Sequence, residues 1–228
     1  MASGSPAPGC ESSPRLLWHD SPVSAPRRIR PRKRPSTQAG LSIADAVITA
    51  TEQVLAESGM QGFSTNRVAE RAGVSVGSLY QYFPNKESLL AEVARRLEMR
   101  AQTLVLERLQ ACRELPLRDV IEALVDVLLG DALSVRQVRH VLRRDVPSGW
   151  ITDTSKEVDQ EVRRAIAGEL ARRDDVRHDA TPELLAWVAS HAVELLVEQA
   201  VLLAPEMLER REFRDQLITL AYAYLRRE

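Results

Sequence analysis

The sequence predicts an all-α protein of about nine helices. Helical patterns of apolar residues follow one another from residue 63 to near the C-terminus. Several of these patterns start or stop at residues that favour helix ends, such as Gly73, Pro116 and Pro182. Hydrophobic residues make up 44% of the 228 residues, enough for a core, and no apolar run approaches the ~20 residues of a membrane span.

Residues 1–40 differ from the rest of the chain in composition and charge. They are rich in Pro, Ser, Ala and Gly and have neither a helical nor a strand period, so we expect a flexible arm. Seven basic residues against two acidic ones give this arm a net charge of +5. Its basic run, RRIRPRKR, fits either a solubilising tail or an arm that lies on DNA. The candidate DNA contacts in the run are Arg30, Arg32, Lys33 and Arg34.

The segment Phe63–Lys86, FSTNRVAERAGVSVGSLYQYFPNK, predicts two short helices joined by a tight turn. Ser64 can cap the first helix, and Gly73 tolerates the positive φ of a sharp helix exit. Ser75 can cap the second helix, which Pro84 must end. This order of elements is typical of a helix-turn-helix.

The second short helix, Val76–Tyr82, has side chains suited to the major groove of DNA. Gly77 allows the backbone to approach closely, and Ser78 and Gln81 can form hydrogen bonds with base edges. Many helical proteins that bind no DNA also contain a short helix, a glycine turn and a second helix. The spacing alone therefore leaves both interpretations open.

The run AGVSVGSLYQYFPNKESLL resembles the recognition-helix region of the TetR family of transcriptional regulators. The preceding run, IADAVITATEQVLAESGMQGFSTNRVAERAG, extends the resemblance, which covers Ile43 to about Leu90 without an evident gap. It implies an all-α homodimer with a three-helix helix-turn-helix DNA-binding domain, expected at residues 41–100. It also implies a C-terminal helical domain for effector binding and dimerisation, expected at residues 101–228.

Carried over by position, the resemblance implies two sets of DNA contacts. Phosphate contacts are expected at Ser64, Thr65, Ser75, Tyr80, Tyr82 and Lys86. Base-facing positions are expected at Val76, Gly77, Ser78 and Gln81. Many family members carry a polar or basic residue in place of Val76, so a methyl contact to thymine is expected here. Residues 42–90 hold three basic and five acidic residues, and we therefore expect the arm to supply much of the affinity.

Six further helices are expected after the helix-turn-helix. Pro116, Gly130, Pro182 and Pro205 mark several of their boundaries. The expected ranges are 85–112, 117–129, 134–144, 154–173, 182–203, and 205 nearly to the C-terminus.

The helix expected at 184–203 is apolar on almost every face, so it must be buried on two sides. One side is expected to face the core of its own chain and the other a second copy, together with the last helix. The expected interface residues are Leu185, Val188, Ala189, Ala192, Leu196, Leu217, Leu220 and Ala221.

The resemblance also implies an effector pocket among the middle helices of the C-terminal domain. Its candidate lining residues are Arg136, Arg139, His140, Trp150, Trp187, His191 and Glu194. Each of them also fits an ordinary surface, core or interface position. The aliphatic composition of these helices favours an apolar or amphipathic effector.

We therefore expect a ligand-responsive repressor that binds a palindromic operator as a homodimer and is released by a small molecule. An effector-independent, nucleoid- or division-associated DNA-binding protein on the same fold stays open. The sequence has no nucleophile motif, paired-carboxylate signature, metal-ligand spacing or Gly-rich phosphate loop, so no enzyme, cofactor or metal site is expected. Two cysteines and the lack of a secretion-signal pattern favour a cytoplasmic protein that does not associate with membranes.

Overall fold

The computed structural model describes residues 38–145 and 152–227. These residues form nine α-helices and one short 3-10 helix, and an isolated antiparallel bridge joins Val176 to Arg226. The predicted all-α fold is confirmed for this part of the chain. The helices are α1 (Gln38–Ser58), α2 (Thr65–Ala72), α3 (Val76–Tyr82), α4 (Lys86–Cys112), α5 (Leu117–Ser134), α6 (Arg136–Asp145), α7 (Thr152–Ala171), α8 (Pro182–Leu203) and α9 (Arg211–Leu225).

Local capping contacts set the ends of α2 and α3 where the sequence predicts them. The Ser64 hydroxyl accepts a hydrogen bond from the backbone N of Arg67 at 3.2 Å. Gly73 ends α2 with a φ of 67°, in the left-handed region that favours glycine. The Ser75 hydroxyl accepts from the backbone N of Ser78 at 3.0 Å and so begins α3.

α5 is longer than the sequence predicts, because Gly130 does not end it and the helix continues to Ser134. A glycine inside a helix costs only about 1 kcal/mol relative to alanine. On either side of it, Leu129 and Ala132 are buried in the core, and this burial outweighs the cost.

The last expected helix is divided in two. Residues Pro205–Glu209 form a 3-10 helix, and α9 begins only at Arg211. Leu208 of the 3-10 helix is buried in the core, so the chain bends to place this side chain before α9 starts. The first helix also differs at its start: residues 38–40, which the sequence places in the arm, already belong to α1.

The N-terminal core consists of buried residues from α1, α2, α3, the first half of α4 and also α6. Val68 of α2 and Leu79 of α3 are fully buried in this core, so both helices are held by packing against it. Val138 and Leu142 of α6 lie in the same core, although they belong to the C-terminal half of the sequence. The helix-turn-helix is therefore supported partly by a helix from outside the predicted domain boundary.

The C-terminal core joins α5, α7, α8, the 3-10 helix and α9. α4 runs from the N-terminal core to this half, and the domain boundary expected at residue 100 falls inside it. α8 is long and apolar enough to cross a membrane by length and composition alone. Seven of its residues are buried inside the protein, which is typical of the central helix of a globular domain.

Candidate nucleic-acid interface and cavity

The outer face of α3 carries three of the four positions that the sequence predicts for base contacts, together with Tyr80, which the sequence predicts for a phosphate contact. We define this face by the exposed residues Gly77, Tyr80 and Gln81 with the half-buried Ser78. Leu79 on the opposite side is fully buried, so the orientation of the helix is fixed. The Gln81 side chain makes no hydrogen bond with the described residues, so its amide is available to a partner.

Two hydroxyl groups of this outer face are each paired with a hydroxyl outside it. The hydroxyls of Thr65 and Tyr80 share a hydrogen bond of 3.0 Å, which brings the start of α2 next to α3. The hydroxyls of Ser75 and Ser78 lie 2.8 Å apart. Since Ser75 also caps α3, the Ser78 hydroxyl is held against the helix start rather than projecting freely from it.

Two of the predicted DNA contacts pack against the N-terminal core. Val76 and Tyr82 are half-buried and pack against the N-terminal core. The Val76 methyl groups are thus shared between that core and the surface. Ser64 serves as the cap of α2, so its hydroxyl already has a backbone partner.

The basic residues of α2 are engaged by a carboxylate of α1. Arg71 donates to Glu57 at 2.7 Å, and Arg67 lies 3.6 Å from the same carboxylate while donating to Ser58 at 2.8 Å. The hydrogen bond from Arg71 holds the pKa of Glu57 below its usual range. Lys86 is exposed and is the one basic residue between positions 42 and 90 for which the structure gives no ion pair.

The expected contacts in the basic arm, Arg30, Arg32, Lys33 and Arg34, lie outside the described residues. Sequence reasoning did not foresee Glu57 as the partner of both arginines. Its place near the end of α1, fourteen residues before Arg71, gave no local signal, because the contact depends on how α2 packs on α1.

The residues expected at a dimer interface divide into two groups. Leu185, Ala189, Leu217 and Ala221 are buried in the C-terminal core of a single chain and are not available to a partner. Leu196 and Leu220 are exposed, while Val188 and Ala192 are half-buried.

The exposed side of α8 and α9 is nevertheless apolar. Leu184, Trp187, Leu195 and Leu203 are exposed on α8 in addition to Leu196, with Leu195 57% exposed and Leu203 78% exposed. We call these five residues, with Leu220 of α9, the leucine face. Exposed apolar patches on a protein surface are typical of contacts with other molecules.

A cavity of about 200 Å³ lies between α4, α5, α6, α7 and α8. Of the residues that the sequence predicts for a pocket, Arg139 and Glu194 line it. Its walls combine aliphatic side chains with several charged ones. The polar lining residues are Glu98, Gln102, Asp131, Arg139, Arg143, Glu194 and Glu198.

The other predicted pocket residues lie elsewhere. Arg136 donates to Glu209 at 2.8 Å, and His140 lies 3.4 Å from the carbonyl oxygen of Val201. Neither residue lines the cavity.

Trp187 and His191 stack on α8 with their ring centroids 4.4 Å apart, also away from the cavity. Trp150 lies outside the described residues.

Three charged residues from three helices meet at the cavity wall, and we call them the Asp131 cluster. Asp131 of α5 accepts from Arg139 of α6 at 2.6 Å, and Arg100 of α4 approaches its other oxygen at 3.4 Å. The sequence contained a signal for this cluster, since Asp131 interrupts an apolar stripe that includes Leu128 and Ala132.

Within the described residues, no group of three or more His, Cys, Asp and Glu side chains is placed to hold a metal ion. Cys112 is a buried free thiol, and burial raises its pKa. It stays a small apolar side chain in the core rather than a reactive group.

Comparisons with known proteins agree with this geometry. The family profile "Bacterial regulatory proteins, tetR family" matches residues 47–93, which contain most of α1, α2, α3 and the start of α4. The profile "Tetracyclin repressor-like, C-terminal domain" matches residues 116–225. The two profiles describe the N-terminal and C-terminal domains of proteins in one family, and together they cover most of the chain.

The relatives are more distant. The chain is 30% identical over 112 residues to the HTH-type transcriptional regulator PksA of Bacillus subtilis, which is 49% of this chain and 45% of PksA. It is 31% identical over 71 residues to the nucleoid occlusion factor SlmA of Glaesserella parasuis, or 31% of this chain and 35% of SlmA. The matches thus span between about a third and a half of the length of these curated relatives.

The fold itself extends over most of the chain. The crystal structure of a TetR-family transcriptional regulator from Streptomyces coelicolor superposes with a TM-score of 0.55 at 25% identity, covering 80% of this chain and 96% of that one. This family consists of regulatory proteins rather than enzymes, as the sequence predicts. Since the helix-turn-helix, the helical C-terminal half and both family profiles agree, the chain belongs to the TetR family of bacterial regulatory proteins.

Proposed function

We propose that this protein is a DNA-binding transcriptional regulator that reads a palindromic operator as a homodimer. We further propose that it acts in the cytoplasm as a repressor and that a small-molecule effector releases it. The observation that carries the proposal is the outer face of α3, where Gln81 is exposed and Leu79 is buried directly behind it.

The dimensions of α3 suit the major groove. A helix of seven residues is roughly 10 Å long, and the groove is about 12 Å wide. Gln81 can form a bidentate contact with adenine, and the missing side chain at Gly77 leaves room for the backbone to approach. Of the paired hydroxyls of Thr65 and Tyr80, one donates to the other and the second can donate to a phosphate, which would fix the position of α3 on the duplex.

The charge of the helix-turn-helix supports a role for the arm. Since Glu57 forms ion pairs with Arg67 and Arg71, Lys86 is the principal cation of the folded helix-turn-helix that has no ion pair. We propose that the basic residues of the arm supply much of the non-specific affinity. Deleting residues 1–35 should then flatten the slope of log K against log salt, and an unchanged slope would refute this part of the proposal.

The leucine face supports a two-fold dimer. Two copies of α8 and α9 would form a four-helix contact and remove Leu195 and Leu203 from water. A two-fold axis would place the two α3 helices to read half-sites about 34 Å apart, one turn of DNA. Each short α3 would then contribute to a longer, symmetric recognition sequence.

The cavity supports an effector. It touches α4 and α6, which both pack in the N-terminal core, so a ligand with different affinities for two arrangements of these helices would alter DNA binding. An effector-independent DNA-binding protein is the alternative, and the similarity to the nucleoid occlusion factor SlmA favours it. The cavity between the middle helices supports the first proposal over this alternative.

Selection of bound duplexes from random DNA tests the central proposal. We expect a palindrome with two matched half-sites, and Gln81→Ala should weaken the preference at one base position by about 1–3 kcal/mol. Tyr82→Phe, the matched change at a phosphate-facing position, should weaken all sites alike. Failure to select any specific DNA at moderate salt would refute the proposal, and uniform effects of both variants would refute the assigned roles.

A further inference from the structure

The residues that line the proposed effector cavity also indicate the charge of its ligand. Resting on the function proposed above, we infer that the effector is a small organic cation with an apolar body, held by the Glu98 carboxylate and the Gln102 side-chain carbonyl of α4.

One stripe of α4 faces the cavity. Ala94, Leu97, Ala101 and Val105 recur at helical spacing along this stripe and are apolar. Glu98 interrupts the stripe on the same side of the helix. A carboxylate in such surroundings is costly unless a cation or several donors satisfy it.

No group of the described chain satisfies these two side chains. The Glu98 side chain makes no ion pair or hydrogen bond with the described residues, although it lines the cavity and is half-buried. One helical turn further along, the Gln102 side-chain oxygen is buried and accepts no hydrogen bond. Two acceptors four residues apart therefore point to a donor that the described residues do not supply.

The basic groups of the cavity wall are already committed to carboxylates. Arg139 donates to Asp131 at 2.6 Å, and Arg143 donates to Glu198. The Arg139 Nε atom is a buried donor without an acceptor, but its charge is balanced by Asp131. Among the described lining residues, an anionic ligand would meet Glu98 without a free cation to offset the repulsion, whereas a cation gains a charge-assisted hydrogen bond.

The volume of the cavity limits the size of the ligand. An engineered cavity of about 150 Å³ is known to admit benzene, so about 200 Å³ admits a slightly larger body. Leu97, Val105 and Leu128 supply an aliphatic wall for it. An alkylammonium or arylalkylammonium ion of this size can pack its apolar body against the aliphatic wall and donate hydrogen bonds to Glu98 and Gln102.

Three probes of one length separate charge from apolar contact: hexylammonium, hexanol and hexanoate. Titration calorimetry with the full chain at neutral pH should detect hexylammonium binding at least about tenfold tighter than either of the other two. Glu98→Gln should reduce this preference to less than about threefold. Glu107→Gln, which removes the same charge from the exposed side of α4, should keep it.

Equal binding of the three probes, a preference for hexanoate, or no binding of any of them would each overturn the inference. The wild-type series decides this even if the Glu98→Gln variant fails to fold. Operator selection is measured in parallel on the same protein. Specific DNA binding without a preference for the cation would overturn this inference alone, whereas hexylammonium binding without specific DNA binding would overturn the proposed function.

Discussion

Replacing Asp131 by alanine should destabilise the protein strongly, because Asp131 joins three helices. Its side chain is only 3% exposed, and it accepts from Arg139 of α6 while Arg100 of α4 faces its second oxygen. Asp131→Ala would leave both guanidinium groups without their carboxylate at the wall of the cavity.

The exposure of the two arginines sets the expected magnitude. Breaking a fully buried ion pair costs about 3–5 kcal/mol. Arg139 is 23% exposed and Arg100 is 50% exposed, so water can partly solvate the charges that remain. We therefore expect a loss of about 2–3 kcal/mol in the free energy of unfolding. For a chain of this length, each kcal/mol corresponds to about 2–4 °C in the melting temperature.

Urea and thermal unfolding at a fixed protein concentration measure this loss, since dimerisation would otherwise shift the result. A double-mutant cycle with Arg139→Ala should give a coupling of about 1–2 kcal/mol between the two residues. Asp174→Ala is the matched control, because Asp174 is exposed, and it should change stability by less than about 0.5 kcal/mol. A loss below about 0.5 kcal/mol for Asp131→Ala, or additive effects in the cycle, would refute the reasoning.

Three further predictions concern stability, assembly and DNA affinity. The hydrogen bond from Arg173 lowers the pKa of Asp175. The stability that this hydrogen bond contributes should therefore be present above the pKa of Asp175 in the unfolded chain, and it should be lost as the pH falls through the pKa in the folded protein. Asp175→Asn should cost about 1 kcal/mol of unfolding free energy at pH 7 and nothing in strong acid. A cost that does not change with pH would contradict this prediction. Leu195→Glu should convert the proposed dimer to monomer in analytical ultracentrifugation, whereas Leu115→Glu, at a leucine that is 46% exposed outside the leucine face, should not. Glu57→Gln should free the two arginines that it engages, raise affinity for DNA of any sequence and steepen its salt dependence; a flatter slope would argue against that role.

Features governed by a few neighbouring residues could be predicted from the sequence. Ser64, Gly73 and Ser75 determine the ends of α2 and α3 through contacts within four residues along the chain, and Thr181 caps α8 in the same way. Gly130 misled the prediction because its local preference for a helix end is weaker than the burial of its neighbours in the C-terminal core.

The candidate sites were harder to predict because they depend on distant parts of the chain. Arg139 and Glu194 could be named as pocket residues, but Glu98 gains its significance only when α4 is seen to face the cavity. Likewise, the apolar character of α8 predicted two buried sides without indicating which side faces the core. The structure assigns Leu185 to the core and leaves Leu195 on the surface.

The cavity and the N-terminal core share a wall. Ala94, Leu97 and Leu142 belong to that core and also line the cavity. A mutation that enlarges the cavity at Leu142 would also open a void beneath the helix-turn-helix, at a cost of about 2–5 kcal/mol for a change to alanine. Evolution toward a larger cavity is therefore constrained on this side. Substitutions of Val105 and Leu128 can change the shape of the cavity at a lower cost in stability, because these residues line the cavity without belonging to the N-terminal core.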